Sequence, residues 1–190
     1  MPLFDHFGLL APHYETLIQP KDPQEIKAFA NLPVSGALLD AGGGTGRIAQ
    51  FLADQADQLI VADLSFKMLQ QAKGKGSLRS VCTPSENLPF ADHTFERVIM
   101  VDALHHVCDQ RRAAAELWRV LKPGGRLTIE EPDVRKLSVK LVALAEKLAL
   151  MRSHFLSPPE IAGLFQDPLA HVRIETKSYN AWIVVDKYTS

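Results

Sequence analysis

LLDAGGGTGR, residues 38–47, is the most informative segment of the sequence. The apolar residues of Ala37–Ala41 predict a buried strand, and four glycines follow it within residues 42–46. Glycine accepts positive φ and lets the backbone approach another molecule closely, but it costs conformational entropy on folding. So many glycines in one turn therefore indicate a binding loop, and we expect a helix to begin near Thr45, directly after it.

Short apolar runs and amphipathic segments alternate along the chain. Apolar residues recur at helical spacing within residues 48–56 and again within residues 114–121. The runs that predict strands are Ala37–Ala41, Gln58–Ala62, Leu78–Cys82, Phe95–Val101 and Gly125–Glu130. Because strands that alternate with helices form parallel sheets, we expect a parallel core with helices on both faces.

Two last runs, His171–Lys177 and Ala181–Lys187, predict a different ending. Only residues 178–180 separate them, whereas a parallel crossover needs about a dozen residues or more. They should therefore pair as an antiparallel hairpin. Upstream of the hairpin, Ser157 and Glu160 have the spacing of a capping box that opens a short helix.

The composition suits one globular domain of 190 residues, with 46% apolar and 23% charged residues. A net charge of −1 argues against a general nucleic-acid binder. Cys82 and Cys108 are too few for a disulfide scaffold and lack the spacing of a zinc site. No targeting or membrane-spanning segment is recognisable, so we expect a cytoplasmic location without stable membrane insertion. The sequence makes no prediction of the oligomeric state.

Two kinds of ligand fit the glycine loop. Gly44–Ala49 matches the GxGxxA form of the dinucleotide fingerprint, whereas Asp40, two residues before a GxGxG core, is the arrangement expected for S-adenosylmethionine. Asp63 ends the second strand about 20 residues further on, where a carboxylate can bind the ribose of either ligand. Its alternative role is to cap the following helix. A tight turn without any ligand is the third possibility.

Five segments, in order, resemble the motifs of the class I S-adenosylmethionine-dependent methyltransferases. They look most like the type 11 group, which includes quinone-ring methyltransferases. The segments are LLDAGGGTGR (38–47), VADLSFKML (61–69), SENLPF (85–90), ERVIMVDALHHV (96–107) and LWRVLKPGGRLTIEEP (117–132). The resemblance implies an α/β, Rossmann-like fold with a seven-stranded, mostly parallel sheet. We therefore expect residues 1–190 to form a single methyltransferase domain, with a helical lid at residues 1–33 and a Rossmann-like core at residues 37–190.

The resemblance also implies how the cofactor, S-adenosylmethionine, is held. The loop would contact its methionine part, a carboxylate its ribose and apolar side chains its adenine. The implied cofactor-binding residues are Asp40, Gly42, Gly44, Gly46, Asp63, Leu64, Met68, Ser85, Asp102 and Tyr14. The sequence differs from the family pattern at Pro84. The family usually has an aspartate at this position, and that aspartate accepts a hydrogen bond from the adenine amino group.

Methyl transfer from a sulfonium is an in-line displacement, so alignment and exclusion of water supply much of the rate. A base is needed only if the acceptor loses a proton. The candidate catalytic residues His105, His106 and Glu131 follow predicted strands at the ligand-binding edge of the sheet. Packing of the loop is the alternative role for the histidines, and a solvated strand end is the alternative for Glu131. Adjacent histidines without further ligands predict no metal site.

The apolar side chains of residues 134–156 favour a small apolar or aromatic methyl acceptor. The leading interpretation is an S-adenosylmethionine-dependent methyltransferase that acts on such a molecule and has no nucleic-acid partner. An NADP-dependent oxidoreductase and a non-catalytic S-adenosylmethionine-binding protein are the alternatives.

Overall fold

The computed structural model describes residues 23–75, 78–140 and 153–189. The strands are Val34–Ala41 (β1), Ala56–Asp63 (β2), Arg79–Cys82 (β3), Phe95–Val101 (β4), Leu121–Pro132 (β5), Ala170–Lys177 (β6) and Asn180–Lys187 (β7). The α-helices include Pro23–Phe29 (α1), Phe66–Ala72 (α2), Gln110–Val120 (α3) and Pro158–Ala162 (α4), and Ala49–Phe51 and Leu104–His106 are 3₁₀ helices. In these ranges, no helix has the length and apolar character needed to cross a bilayer.

All seven strands belong to one sheet, in the order β3-β2-β1-β4-β5-β7-β6. β1 pairs in parallel with β2 and β4, and β4 with β5, whereas β7 runs antiparallel to β5 and β6. The seven-stranded, mostly parallel sheet and the terminal hairpin are thereby confirmed. The strand order reverses between β1 and β4, and open α/β sheets bind ligands beyond the carboxyl ends of the strands at such a switch point.

Neighbouring residues of the central strands pack on opposite faces of the sheet. Leu38 of β1 belongs to a cluster with residues of α1 and α2, and Leu39 belongs to a cluster with residues of α3 and α4. Both clusters consist of buried apolar side chains, which is why the strands read as nearly continuous apolar runs. The predicted placement of helices on both faces is confirmed.

Helix α1 lies within the segment assigned to a lid by resemblance. Its Ile26 is buried, and the ring of Phe29 stacks on Trp182 of β7 with the centroids 4.3 Å apart. This part of the segment packs on the sheet. The predicted lid residues 1–22, with Tyr14, lie outside the described residues, so the lid and the domain bounds stay predictions.

The predicted helix after the glycine loop is wrong. Residues 45–48 form turns, and only the 3₁₀ helix Ala49–Phe51 follows. The backbone φ is positive at glycines 42, 44 and 46, which is incompatible with a right-handed helix running out of the loop. The apolar side chains of Ile48 and Leu52 are nevertheless buried against the sheet. The spacing of these apolar residues therefore indicates which side chains are buried, but it does not indicate an α-helical backbone.

Strand β5 begins earlier than predicted. The predicted strand starts at Gly125, but Leu121 already pairs with Phe95. The register then shifts before Arg97 pairs with Arg126. The extra residues form an irregularity within the strand pair, where Gly124 has a φ of 79°.

Replacing Trp182 by alanine should lower the free energy of unfolding by about 3–5 kcal/mol, because it leaves a cavity between α1 and the sheet. Urea denaturation followed by circular dichroism measures this change. The matched control is Tyr188→Ala, at an exposed position just beyond β7, which should cost less than about 1 kcal/mol. A loss in Trp182→Ala no larger than that of the control would contradict the packing of α1 on the sheet.

Candidate functional site

A cleft lies at the carboxyl ends of β1, β2 and β4, where the strand order reverses. The predicted site residues in its wall are Asp40, Gly42, Gly44, Asp63, Leu64, Met68, Ser85 and His106. The wall also contains residues without a predicted role: Gly43, Arg47, Ile48, Glu86, Val101, Ala103, Val107 and Cys108. The predicted residues Gly46, Asp102, His105 and Glu131 lie outside the wall, and Tyr14 lies outside the described residues.

The carboxyl group of Asp40 is buried at the end of β1, with 1% of the residue exposed. Among the described residues, its Oδ2 has no hydrogen-bond partner. Burial raises the pKa of Asp40 to about 7, with Arg47 lowering and Asp63 raising it by smaller amounts. A Cβ at Gly43 would lie 2.6 Å from this carboxyl group, so the sequence needs glycine there. The unused oxygen suits a cationic group of a ligand.

The backbone N–H groups of the glycine loop are used inside the protein. Those of Gly42 and Gly43 donate to the carbonyl oxygen of Ala62 at 2.7 and 3.2 Å. The N–H of Gly44 donates to Asp63 Oδ2 at 2.9 Å. Dinucleotide phosphates bind to amides directed at the ligand from a loop and the N-terminus of a helix. Here these amides point into the fold, and a 3₁₀ helix stands where that α-helix would begin.

Asp63 contacts the start of the following helix and also lines the cleft. Its Oδ1 accepts a hydrogen bond from the N–H of Ser65 at 2.7 Å, which fastens the start of α2. The carboxylate also lines the cleft, and each carboxylate oxygen can accept two hydrogen bonds. Beside it, the half-exposed Leu64 and the buried Met68 form an apolar wall.

The loop after β3 forms another wall and is held from behind. Thr83 Oγ1 donates to the carbonyl oxygen of Asn87 at 2.9 Å, and Arg112 Nε donates to that of Glu86 at 2.9 Å. Pro84 lines the cleft without offering a side-chain acceptor, so Ser85 and Glu86 supply the polar groups of this wall.

His105 and Glu131 form a buried pair behind the cleft. Glu131 Oε2 lies 2.6 Å from His105 Nδ1, and only 4% and 3% of the two side chains are exposed. Glu131 Oε1 accepts hydrogen bonds from the N–H groups of Ala103 and Leu104 at 2.9 and 2.7 Å. The His105 ring also stacks on the ring of Phe155, with the two ring centroids 4.3 Å apart. The pair therefore holds the 3₁₀ helix Leu104–His106 in position.

His106 faces a different environment from its neighbour. It lines the cleft, its Nδ1 lies 3.3 Å from Ser153 Oγ, and its ring lies 3.9 Å from that of His105. Burial lowers the pKa of His106 to about 3, with His105 lowering it further and Asp102 opposing this change. The imidazole is consequently neutral at physiological pH. Across the described ranges, no group of three or more histidine, cysteine, aspartate or glutamate residues is arranged to hold a metal ion.

Arg47 and Asp102 form an ion pair that the sequence did not reveal. Arg47 Nη2 lies 3.3 Å from Asp102 Oδ2, and 5% of Arg47 is exposed. Asp102 follows β4 with a φ of 57°, and its N–H donates to the carbonyl oxygen of Glu130 at 2.8 Å. Arg47 lies in the cleft wall, whereas its partner Asp102 lies outside it.

Residues 39–129 match a family model described as a methyltransferase domain. A ubiquinone/menaquinone biosynthesis C-methyltransferase from Haemophilus ducreyi is 38% identical over 104 residues, which cover 50% of this chain and 40% of that relative. Residues 39–129 therefore belong to this methyltransferase domain family. The matched part spans well under two thirds of the length of this curated relative.

Solved structures of low sequence identity share the fold of this chain. A Haloferax volcanii methyltransferase, solved in complex with a methyltransferase activator, superposes with a TM-score of 0.83 at 18% identity and covers 98% of this chain and 100% of that one. A Thermotoga maritima methyltransferase, described as a possible histamine N-methyltransferase, superposes with a TM-score of 0.80 at 22% identity. The match covers 95% of this chain and 98% of that one.

The pH dependence of stability should reveal the buried Asp40. Its carboxyl has an ordinary pKa of 3.8 when exposed and a raised pKa of about 7 in the fold, so folding favours the protonated form. The stabilising contribution is complete below about pH 4 and is lost as the pH rises through 7. Asp40→Asn cannot ionise, so it should lose less stability than the wild type between pH 5 and pH 8 in urea denaturation.

The control for this experiment is Glu175→Gln, at an exposed position of β6, which should keep the pH dependence of the wild type. A stability difference between wild type and Asp40→Asn that is equal at both pH values would contradict a buried, protonated Asp40.

Proposed function

We propose that the chain binds S-adenosylmethionine in this cleft and transfers the methyl group to a small apolar or aromatic acceptor. The proposal rests on one observation above all: Asp40, Asp63 and the glycine loop, which occupy the cofactor-binding positions of the family motifs, meet in a single cleft at the switch point of the sheet. The match to the methyltransferase domain family supports the same ligand.

The charges around the cleft favour this cofactor over NADP. Its described wall contains the carboxyl residues Asp40, Asp63 and Glu86 and one guanidinium, that of Arg47. S-adenosylmethionine carries a sulfonium and an ammonium group, whereas NADP carries several phosphate anions that carboxylates repel. The glycine-loop amides, which bond inside the protein, offer the phosphates no compensation.

Bound S-adenosylmethionine supplies an electrophilic methyl group on a positively charged sulfur. The chain has to hold that group in line with the acceptor and to exclude water. Asp63 would accept hydrogen bonds from the ribose hydroxyls, and Leu64 and Met68 would cover the adenine. Asp40 Oδ2, a buried acceptor without a partner, would receive the ammonium group.

The two histidines take different roles in this proposal. His106, which is neutral and lines the cleft, would hydrogen-bond the acceptor molecule. A pKa of about 3 leaves it too weak a base to match a proton transfer near neutral pH. His105 and Glu131 would act as positioning residues, because their pair fixes the 3₁₀ helix that carries His106.

The relatives narrow the class of acceptor that we propose. The Haemophilus ducreyi relative is named a C-methyltransferase of ubiquinone and menaquinone biosynthesis. The apolar side chains of Val101, Ala103 and Val107 lie in the same cleft wall as His106. We therefore favour an aromatic ring related to quinones, methylated at carbon.

Isothermal titration calorimetry with S-adenosylhomocysteine tests the cofactor. The wild type should bind it, and Asp63→Ala should bind it at least about tenfold more weakly, because the ribose hydroxyls lose a charged acceptor. Asp54→Ala, at an exposed site away from the cleft, is the control and should bind as the wild type does. Binding of NADP by the wild type in place of S-adenosylhomocysteine would overturn the proposal and favour an oxidoreductase.

The pH profile of kcat/KM, measured with an acceptor molecule that the protein methylates, tests the role of His106. Because the imidazole is neutral from pH 5 upward, the rate should show no inflection near 6.5 that belongs to this residue. His106→Asn should lower kcat/KM without changing the shape of the profile between pH 5 and pH 8.

The control is His93→Asn, at an exposed position before β4, which should leave the rate unchanged. An acidic limb near pH 6.5 that is present in the wild type and lost in His106→Asn would instead identify His106 as a general base. Cofactor binding without any methylated product from a panel of quinols and phenols would favour a non-catalytic binding protein.

A further inference from the structure

We propose that Arg47 binds the carboxylate of the cofactor's methionine part, so that Arg47 and Asp40 together clamp the zwitterionic amino-acid end. This inference rests on the proposed function, since it names the residues that recognise one end of that ligand. It assigns a role to Arg47 that neither the glycine-loop pattern nor any spacing in the sequence predicted.

The first observation is an unused donor. Arg47 Nη1 is buried and finds no hydrogen-bond partner in the part of the chain that the structure describes, although Arg47 lies in the cleft wall with 5% of the residue exposed. A guanidinium carries five N–H donors, and burying one of its nitrogens without an acceptor is unfavourable. Buried groups of this kind in native proteins usually meet a partner, so an acceptor is expected to enter the cleft.

The second observation is that Arg47 is held in place before any ligand arrives. Asp102 binds its Nη2 from outside the cleft wall, and the backbone carbonyl of Arg47 accepts a hydrogen bond from Gln50 Nε2 at 2.9 Å. Asp102 is itself fixed by the hydrogen bond of its N–H to Glu130. Asp102 thus holds Nη2, while Nη1 is kept in a fixed orientation for a ligand. Pre-organisation of this kind reduces the entropy cost of binding.

The third observation is the complementary unused acceptor in the same cleft. Asp40 Oδ2 and Arg47 Nη1 are both buried, and neither has a hydrogen-bond partner in residues 23–75, 78–140 or 153–189, so they do not bond to each other. A ligand that satisfies both must present a cation to Asp40 and an anion to Arg47. An α-amino acid carries an ammonium and a carboxylate on one carbon, and a carboxylate is the group that a guanidinium binds best. A phosphate could satisfy Arg47 but would leave Asp40 without its cation.

The test compares three ligands that share the adenosine and the 5′ S-methyl group. The first two differ only in the carboxylate, and the third also lacks the sulfonium charge. S-adenosylmethionine carries both charges, decarboxylated S-adenosylmethionine keeps the amine and lacks the carboxylate, and 5′-methylthioadenosine lacks both. By calorimetry, the wild type should bind S-adenosylmethionine at least about tenfold more tightly than its decarboxylated form, as expected for a lost charge-assisted hydrogen bond. In Arg47→Gln this preference should fall to about twofold or less.

The controls separate recognition from folding. Affinity for 5′-methylthioadenosine should be equal in wild type and Arg47→Gln, because that ligand does not reach the guanidinium. Arg111→Gln, at an exposed position of α3, should keep the wild-type preference. If Arg47→Gln fails to fold, Arg47→Lys replaces it in the test and should reduce the preference for S-adenosylmethionine, because a lysine ammonium cannot reproduce the fixed donor geometry of the guanidinium.

Equal wild-type affinity for S-adenosylmethionine and its decarboxylated form would overturn the role of Arg47 and leave the proposed function intact. An unchanged preference in folded Arg47→Gln would overturn it as well, and would assign the carboxylate to another group. If none of the three nucleosides binds, the proposed function itself fails and this inference fails with it.

Discussion

Burial of the Asp40 carboxyl group is the constraint on which the cleft depends. A carboxyl group in the interior is costly unless it is neutral or paired, and its raised pKa of about 7 records that cost. The space beside it excludes any side chain at Gly43, so the loop must pass close to the end of β1. Hydrogen bonds from the loop to Ala62 and Asp63 then tie it to β2. The path of the glycine loop follows from keeping this one carboxyl group out of water.

The sequence predicts the strands well because a parallel strand that is buried on both faces must be apolar along its length. Ala37–Ala41 and Phe95–Val101 satisfy this condition, and both are strands in the fold. The segment after the loop could not be predicted in the same way. Ile48 and Leu52 both face the core, although the segment between them is a 3₁₀ helix and not an α-helix. The apolar pattern indicates which side chains are buried, whereas the positive φ of the preceding glycines determines the backbone conformation.

The candidate site was predictable only where its residues belong to a local motif. Asp40 and Asp63 end consecutive parallel strands, and strand ends meet at one edge of the sheet. Arg47 and Asp102 lie far apart in the chain and meet only because β4 pairs with β1, so no spacing in the sequence announces them. His105 and Glu131 meet for the same reason, through the pairing of β4 with β5. The fold does not test the predicted cytoplasmic location, which therefore stays a prediction.

The position of Glu131 outside the cleft wall gives it a different kind of influence on the cleft. Its Oε1 holds the N–H groups of Ala103 and Leu104, which fixes where the chain runs after β4. Ala103 lies against the glycine loop, since a Cβ at Gly42 would lie 2.7 Å from that of Ala103. The loop after β1 and the loop after β4 therefore touch where Gly42 lacks a side chain. Through this contact, a carboxylate at the end of β5 sets how closely two walls of the cleft approach each other.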